Sequence, residues 1–229
     1  MIRKLKVIAH IYTDFEEKFG IPRQSGLVKG LRGRIVFEEA YRSVEAVRGL
    51  EGFDYIWLLW QFQGVGEDYW SPMVKPPRLG GKMRMGVFAT RSPFRPNAIG
   101  LSSVRLEGIE SREEGPVLLV SGADLKNRTP IYDIKPYLAY TDAHPEAREG
   151  FAREGREHVL SVEFPEELLE LIPEEKRETL LEVLRQDPRP GYHEDEERKY
   201  GVAFAGHDVH FRVRENILTV FEVVPYIPA

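Results

Sequence analysis

The feature that most limits what this chain can fold into is a close succession of short β-type runs, punctuated by glycine and proline, across its first 140 residues. "KLKVIAHIY" (4–12), "RIVFEE" (34–39), "YIWLLWQF" (55–62), "RMGVFATR" (84–91), "LSSVRLEGI" (101–109) and "PVLLVSGADL" (116–125) all have strand length and β-branched or aromatic content. Six such runs with one short helical candidate between them predict a mainly β fold, an antiparallel β-barrel. The 55–62 run is apolar on both faces and belongs at the centre, whereas Leu101 to Ile109 alternates and keeps one wet face. The helical candidate is "YRSVEAVRG" (41–49), where Tyr41, Val44 and Val47 share a face and Gly49 can end it.

From about Thr141 the chain turns acidic, and the pattern becomes that of a small α+β domain. The spacing predicts a helix beginning at Pro173, with Glu174 and Glu175 in its first turn, an apolar stripe of Leu180, Leu181 and Leu184, and a stop before Pro188. Two strand-like runs close the chain, "GVAFAGHDVHFRVRE" and "ILTVFEVV", joined by "EN" as a hairpin. The expected division is a barrel over 1–142 and the α+β domain over 143–229.

Absences remove several chemistries. The 229 residues contain no cysteine, which excludes disulfides, thiolate catalysis and cysteine-bound zinc. No apolar run approaches the roughly 20 residues needed to span a bilayer, and the first residues lack a signal-peptide pattern, so no membrane partner and a cytoplasmic location are expected. There is no G-x-G-x-x-G, P-loop or G-x-S-x-G, which leaves a doubly wound nucleotide fold without support. No metal site is expected. "HDVH" (207–210) alone has metal-like proximity, and in a strand its two histidines point to opposite faces.

Charge is segregated. Between Lys75 and Arg95 lie six basic residues and no acid, whereas Glu146 to Glu197 holds 17 of the 37 acidic residues. The basic run includes "MGVFATRSPFRPNAIG" (85–100), whose prolines and glycines set a loop shape while Arg91 and Arg95 offer planar donors to an acidic or polar ligand.

Three polar, turn-rich islands interrupt the β pattern: "KFGIPRQSGL" (18–27), "PPRLGGKMRMGVFATRSPFRPNAIGL" (76–101) and "DLKNRTPIYDIKPYL" (124–138). Loops of this kind converging at one end of a barrel commonly build a pocket. In this order, with "QDPRPGY" and the closing strands, they resemble the TsaA-like or TrmO family of S-adenosylmethionine-dependent tRNA N6-methyltransferases, which act on threonylcarbamoyladenosine beside the anticodon. The resemblance covers almost the whole chain. It implies a β-barrel methyltransferase working as a homodimer, with S-adenosyl-L-methionine near the subunit interface and the tRNA anticodon loop as partner. It also implies cofactor contacts from Gln24, Ser25 and Gly26, from Gln63 and Gly64, from Arg91 and Leu101, and from Arg128, Thr129, Pro130 and Ile131.

Two positions depart from the family pattern. Ser25 stands where members have proline, which loosens that loop slightly. Arg128 replaces the usual glycine before Thr-Pro, so it must either adopt a costlier positive-φ turn or keep a conventional one.

For the chemistry, methyl transfer to an N–H nitrogen requires alignment and a sink for one proton. Asp133 is the candidate base with Lys135 as its charge partner, because the two stand two residues apart on one face of an extended segment; the same pair reads equally well as a structural ion pair. Arg78, Lys82, Arg84 and Arg95 are candidate phosphate ligands, and Phe94, Tyr132 or Tyr137 could stack on a loop base. In the 85–100 loop, Arg91 is expected to face the cofactor and Arg95 the RNA. Other readings stay open: a non-catalytic cofactor- or RNA-binding barrel, a methyltransferase with another acceptor, and a metal hydrolase at His207, Asp208 and His210.

Overall fold

A computed structural model describes residues 4–64, 70–76, 83–153, 159–189 and 195–228. In the N-terminal part the strands are β1 (Ala9–Thr13), β2 (Arg32–Phe37), β3 (Tyr55–Gln61), β4 (Met73–Val74), β5 (Met85–Gly86), β6 (Ile99–Arg112), β7 (Gly115–Ser121) and β8 (Thr129–Pro136). Six of them close a barrel in the order β1-β2-β7-β6-β3-β8, with every pairing antiparallel; β4 and β5 pair separately. Alternation decides what faces inward: Ile11, Ile35, Ile56, Leu58, Val104, Leu118, Val120 and Ile131 are buried and form one core. β6 is long enough to pair with β3 over its first half and β7 over its second, and a bulge between Leu106 and Gly108 makes the bend.

The barrel corrects four expectations. Residues 41–49 do not form one α-helix but part of a chain of 3₁₀ turns, Glu39–Tyr41, Val44–Val47 and Leu50–Gly52. Val44 is exposed and Val47 buried, so the supposed stripe has no common face, and a β-branched segment this short cannot hold an α-helix without one. Residues 84–91 do not form a barrel strand: after Met85–Gly86 the chain enters a 3₁₀ turn, Val87–Ala89, whose Val87 carbonyl accepts from the Thr90 hydroxyl at 2.8 Å. The island at 124–138 supplies a barrel strand after all. β8 closes the cylinder between β1 and β3, with Thr129 and Ile131 turned inward. β1 begins at Ala9 rather than Lys4, since Lys4, Leu5 and Lys6 are exposed.

The N-terminal part ends in α1 (Ala139–Asp142), and the C-terminal part holds β9 (Ser161–Glu163), α2 (Glu166–Leu169), α3 (Glu174–Arg185), β10 (Tyr200–Phe204), β11 (His207–Arg214) and β12 (Ile217–Pro225). The sheet order is β10-β11-β12-β9, with β9 parallel to β12. Pro173 is the N-cap residue of α3, which buries Leu180, Val183 and Leu184 against this sheet. "EN" forms the expected turn, with φ of 44° at Glu215 and 72° at Asn216. The preceding run hides a second such turn: Ala205 and Gly206, at 48° and 79°, split it into two strands.

Packing crosses the 142/143 division. Phe15, Val28 and Leu31 are buried in the C-terminal core, with Phe19 and Ile21 against it. The Phe15 and Phe204 rings meet edge-on at 5.3 Å, and Lys176 Nζ lies 2.5 Å from Asp14 Oδ2. At Gly20, φ is 93° and a Cβ would stand 2.6 Å from Val202 Cγ1, so only glycine lets the segment lie this close. The stretch between β1 and β2 thus leaves the barrel, docks on the second core and returns over the barrel mouth.

Candidate functional site

That returning stretch meets the other two islands around a cavity of about 500 Å³. Lys18, Arg23 and Gln24 line it from the first island, Arg91 and Arg95 from the second, Asp124, Lys126 and Thr129 from the third. The barrel adds Trp57, Trp60, Phe62 and Leu101. Short backbone contacts set the loops. Gly26 N–H donates to Gly122 O at 2.9 Å and Gly122 N–H to Leu31 O at 2.8 Å, which seats the QSG turn on the end of β7. A Cβ on Gly122 would stand 3.3 Å from Gly26 Cα. The Gln24 amide oxygen accepts from the Arg91 guanidinium, joining the first two islands, and Gln63 Nε2 donates to Arg128 O at 2.8 Å, joining β3 to the third.

Arg128 adopts φ of 60°, the costlier of the two turns open to it. A non-glycine residue there carries a strain of about 1–2 kcal/mol. Its side chain is exposed, and its carbonyl, not its guanidinium, joins the network.

A second network lies in the wall. Gly100 faces Trp60 across the β3–β6 pair, and its missing Cβ leaves room for the indole to lie over it. Trp60 Nε1 donates to Ser102 Oγ at 3.0 Å, and Ser102 Oγ donates to Asp124 Oδ1 at 2.7 Å. Desolvation raises the Asp124 carboxyl above its usual range, against the hydrogen bond from Ser102, backbone N–H bonds from Asp124 and Ser25, and the charge of Arg91. Beside it, Trp57 Nε1 donates to Asp142 Oδ2 at 2.8 Å, which also accepts from Leu138 N–H; both bonds hold that carboxyl below its usual range.

The expected cofactor residues divide. Gln24, Gln63, Arg91, Leu101 and Thr129 line the cavity; Ser25 reaches it through its backbone bond to Asp124. Gly26, Gly64 and Arg128 shape the adjoining turns, Pro130 stands in β8 opposite His10, and Ile131 points into the barrel core. Asp133 and Lys135 form an ion pair at 2.8 Å on a half-exposed strand face and are not among the lining residues; Asp133 Oδ1 also accepts from Ile134 N–H. Arg84 is exposed. Arg95 lines the cavity but turns its guanidinium toward its own loop, donating to Val87 O at 3.1 Å and Thr90 O at 2.7 Å and lying 5.6 Å from the Phe88 ring centroid. Arg78 and Lys82 lie outside the described residues. Among the described residues, no group of three or more His, Asp or Glu could hold a metal ion. Both ring nitrogens of His210 are taken, by Glu222 at 2.6 Å and Asp208 at 3.0 Å.

Sequence reasoning missed Lys18, Trp57, Trp60, Ser102, Asp124 and Lys126. A readable signal existed for one of them. Ser102 is a polar residue at an inward position of an alternating strand, which needs a buried partner.

The family model described as tRNA-methyltransferase O N-terminal domain matches residues 10–143, and the one for the TrmO C-terminal domain matches 157–226. A tRNA (adenine(37)-N6)-methyltransferase of Escherichia coli strain K12 is 41% identical over 226 residues, covering 95% of this chain and 96% of its own. A Pseudomonas aeruginosa protein with the provisional name S-adenosylmethionine-dependent methyltransferase is 40% identical over 97% of this chain and 98% of its own. A crystal structure of TrmO from Pseudomonas aeruginosa superposes with a TM-score of 0.79 at 35% identity, covering 99% of this chain and 98% of the other.

Proposed function

This chain belongs to the tRNA-methyltransferase O family, and from that premise we propose that it transfers a methyl group from S-adenosyl-L-methionine to N6 of the adenine at position 37 of tRNA, next to the anticodon. The observation that carries the reading is the meeting of three sequence-distant islands at one cavity, in a chain similar over nearly its full length to a named tRNA (adenine(37)-N6)-methyltransferase.

The residues present fit the cofactor. Trp57, Trp60 and Phe62 offer an aromatic wall to a flat base, Gln24 and Arg91 suit its carboxylate, and Thr129 lies beside them. When bound, S-adenosyl-L-methionine supplies a methyl group already activated on a sulfonium. The chain's own task is orientation: Arg91 and Gln24 fix one wall, and Trp60, held by Ser102, fixes another.

The finer reading is that the acceptor is threonylcarbamoyladenosine and that two copies work as a homodimer in the cytoplasm. Five cations on the cavity wall, Lys18, Arg23, Arg91, Arg95 and Lys126, suit a base whose substituent ends in a carboxylate. Leu101 on that wall and Phe88 near it are more than half exposed, as expected of a face that a second copy covers.

The test is incubation with cofactor and tRNA, followed by mass spectrometry of the nucleosides. A gain of one methyl on threonylcarbamoyladenosine supports the whole reading. A methyl on unmodified adenosine alone refutes the finer acceptor, and methyl-free tRNA with bound cofactor makes this a binding barrel.

A further inference from the structure

Among the described lining residues, Asp124 is the one acid on a wall that carries five cations. The polarity of its hydrogen bonds is fixed by elimination. An indole N–H only donates, so the Ser102 oxygen accepts from Trp60 and the Ser102 hydroxyl proton goes to Asp124 Oδ1. The backbone N–H of Ser25 donates to the same carboxylate. Every partner therefore presents a proton to Asp124, an arrangement that holds a carboxylate in its accepting, ionised form beside the space where a ligand sits.

We propose that Asp124 is the proton acceptor of the methyl transfer. As the new N–CH₃ bond forms, the C–S bond breaks and its electron pair leaves with sulfur; the acceptor nitrogen becomes cationic, and its N–H proton passes to the Asp124 carboxylate, from which water later removes it. The proposal rests on the methyltransferase reading above. Asp133, which sequence spacing had favoured for this task, is engaged by Lys135 and stands apart from the cavity wall. Burial opposes those bonds and raises the carboxyl, which suits the task, because a general base is most effective when its proton affinity approaches that of the medium. The charged groups that share the cavity with Asp124 are Arg91 and Arg95 on the loop after β5, Lys18 and Arg23 on the stretch between β1 and β2, and Lys126 on its own loop. No histidine, tyrosine or second acid is among the described lining residues.

The experiment compares wild type, Asp124→Asn and Ser102→Ala by three readouts. In free protein, the ¹⁵N–¹H indole resonance of Trp60 should shift as the carboxylate titrates in wild type and stay still in Asp124→Asn. By calorimetry, the affinity of Asp124→Asn for S-adenosyl-L-methionine should stay within about threefold of wild type, while its single-turnover methylation of tRNA falls by about 10²–10⁴-fold and loses its rise with pH. Ser102→Ala removes a bond that lowers the Asp124 carboxyl, so its rate should rise at higher pH than in wild type.

An Asp124→Asn rate within threefold of wild type across pH overturns the proposal. So does a rate loss matched by an equal loss of cofactor affinity, which would make Asp124 a binding group. If Asp124→Asn does not fold, an unmoved pH profile in Ser102→Ala overturns it instead. A wild type that transfers no methyl to tRNA, while the Trp60 resonance still titrates, faults the methyltransferase reading and this role together; an active wild type with an active Asp124→Asn faults Asp124 alone.

Discussion

Replacing Gly100 with alanine tests whether the cavity wall depends on the indole that lies over it. The added Cβ would stand 2.2 Å from Trp60 Cε2, 2.3 Å from Cζ2 and 2.6 Å from Cδ2. Carbon atoms rest at about 3.5–4.0 Å, so the ring must retreat by roughly 1.3 Å or more. Overfilling of this kind costs about 1–3 kcal/mol. The retreat also stretches the Trp60–Ser102 hydrogen bond beyond use, adding about 1 kcal/mol. The expected loss is about 2–4 kcal/mol, or on the order of a 1 M drop in the urea midpoint at a slope near 3 kcal/mol/M. Gly108, on the same strand, is the control: a Cβ there meets nothing within 4 Å, so Gly108→Ala should leave the midpoint unchanged or slightly raised. Urea melts followed by tryptophan fluorescence read both, and cofactor calorimetry should show weakened binding in Gly100→Ala alone. Equal midpoints for the two variants would refute the claim that Trp60 is held against Gly100.

Three further outcomes separate structural from electrostatic roles. Arg84→Ala should reduce the salt slope of tRNA binding by about one without changing stability, whereas Arg95→Ala should also expose the 85–98 loop to protease, because it removes the two bonds by which Arg95 ties Val87 and Thr90 together. Arg128→Gly should be more stable than Arg128→Ala by about 1 kcal/mol in thermal melts, since alanine keeps the positive-φ strain and glycine does not. Hydrogen bonds from His210 to Glu222 and Asp208 raise its pKa, so its contribution is full below the unfolded value and fades as pH rises through the folded one. The melting-temperature gap between wild type and His210→Gln should therefore be wide near pH 6 and narrow toward pH 9; a gap that widens with pH would contradict the pairing.

Which parts were legible follows from the range of the interactions. β3, β6, β7 and the final hairpin were readable because alternation, β-branching and positive-φ turn residues act within a few positions of one another. The 84–91 run failed as a strand because its carbonyls are claimed by Arg95 and the Thr90 hydroxyl, side-chain contacts that no periodicity encodes. β8 hid inside a polar island because its inward Thr129 and Ile131 alternate with Pro130 and Tyr132, and its pairing partners lie some 70 and 120 residues upstream.

For the site, the family resemblance carried by the three islands marked Gln24, Arg91 and Thr129, and all three line one cavity. The sequence by itself determined the β-rich class, the acidic helical appendage, the absence of thiol chemistry and the three loops that matter, since each depends on residue type and near-neighbour spacing. Tertiary structure alone decided that the stretch between β1 and β2 is carried by the C-terminal core, that Gly100 makes room for Trp60, and that Trp60, Ser102 and Asp124 form one chain of hydrogen bonds. Those contacts join residues about 20 to 190 positions apart, which the pairing of β3 with β6 and the docking of the β1–β2 stretch on the second core bring together.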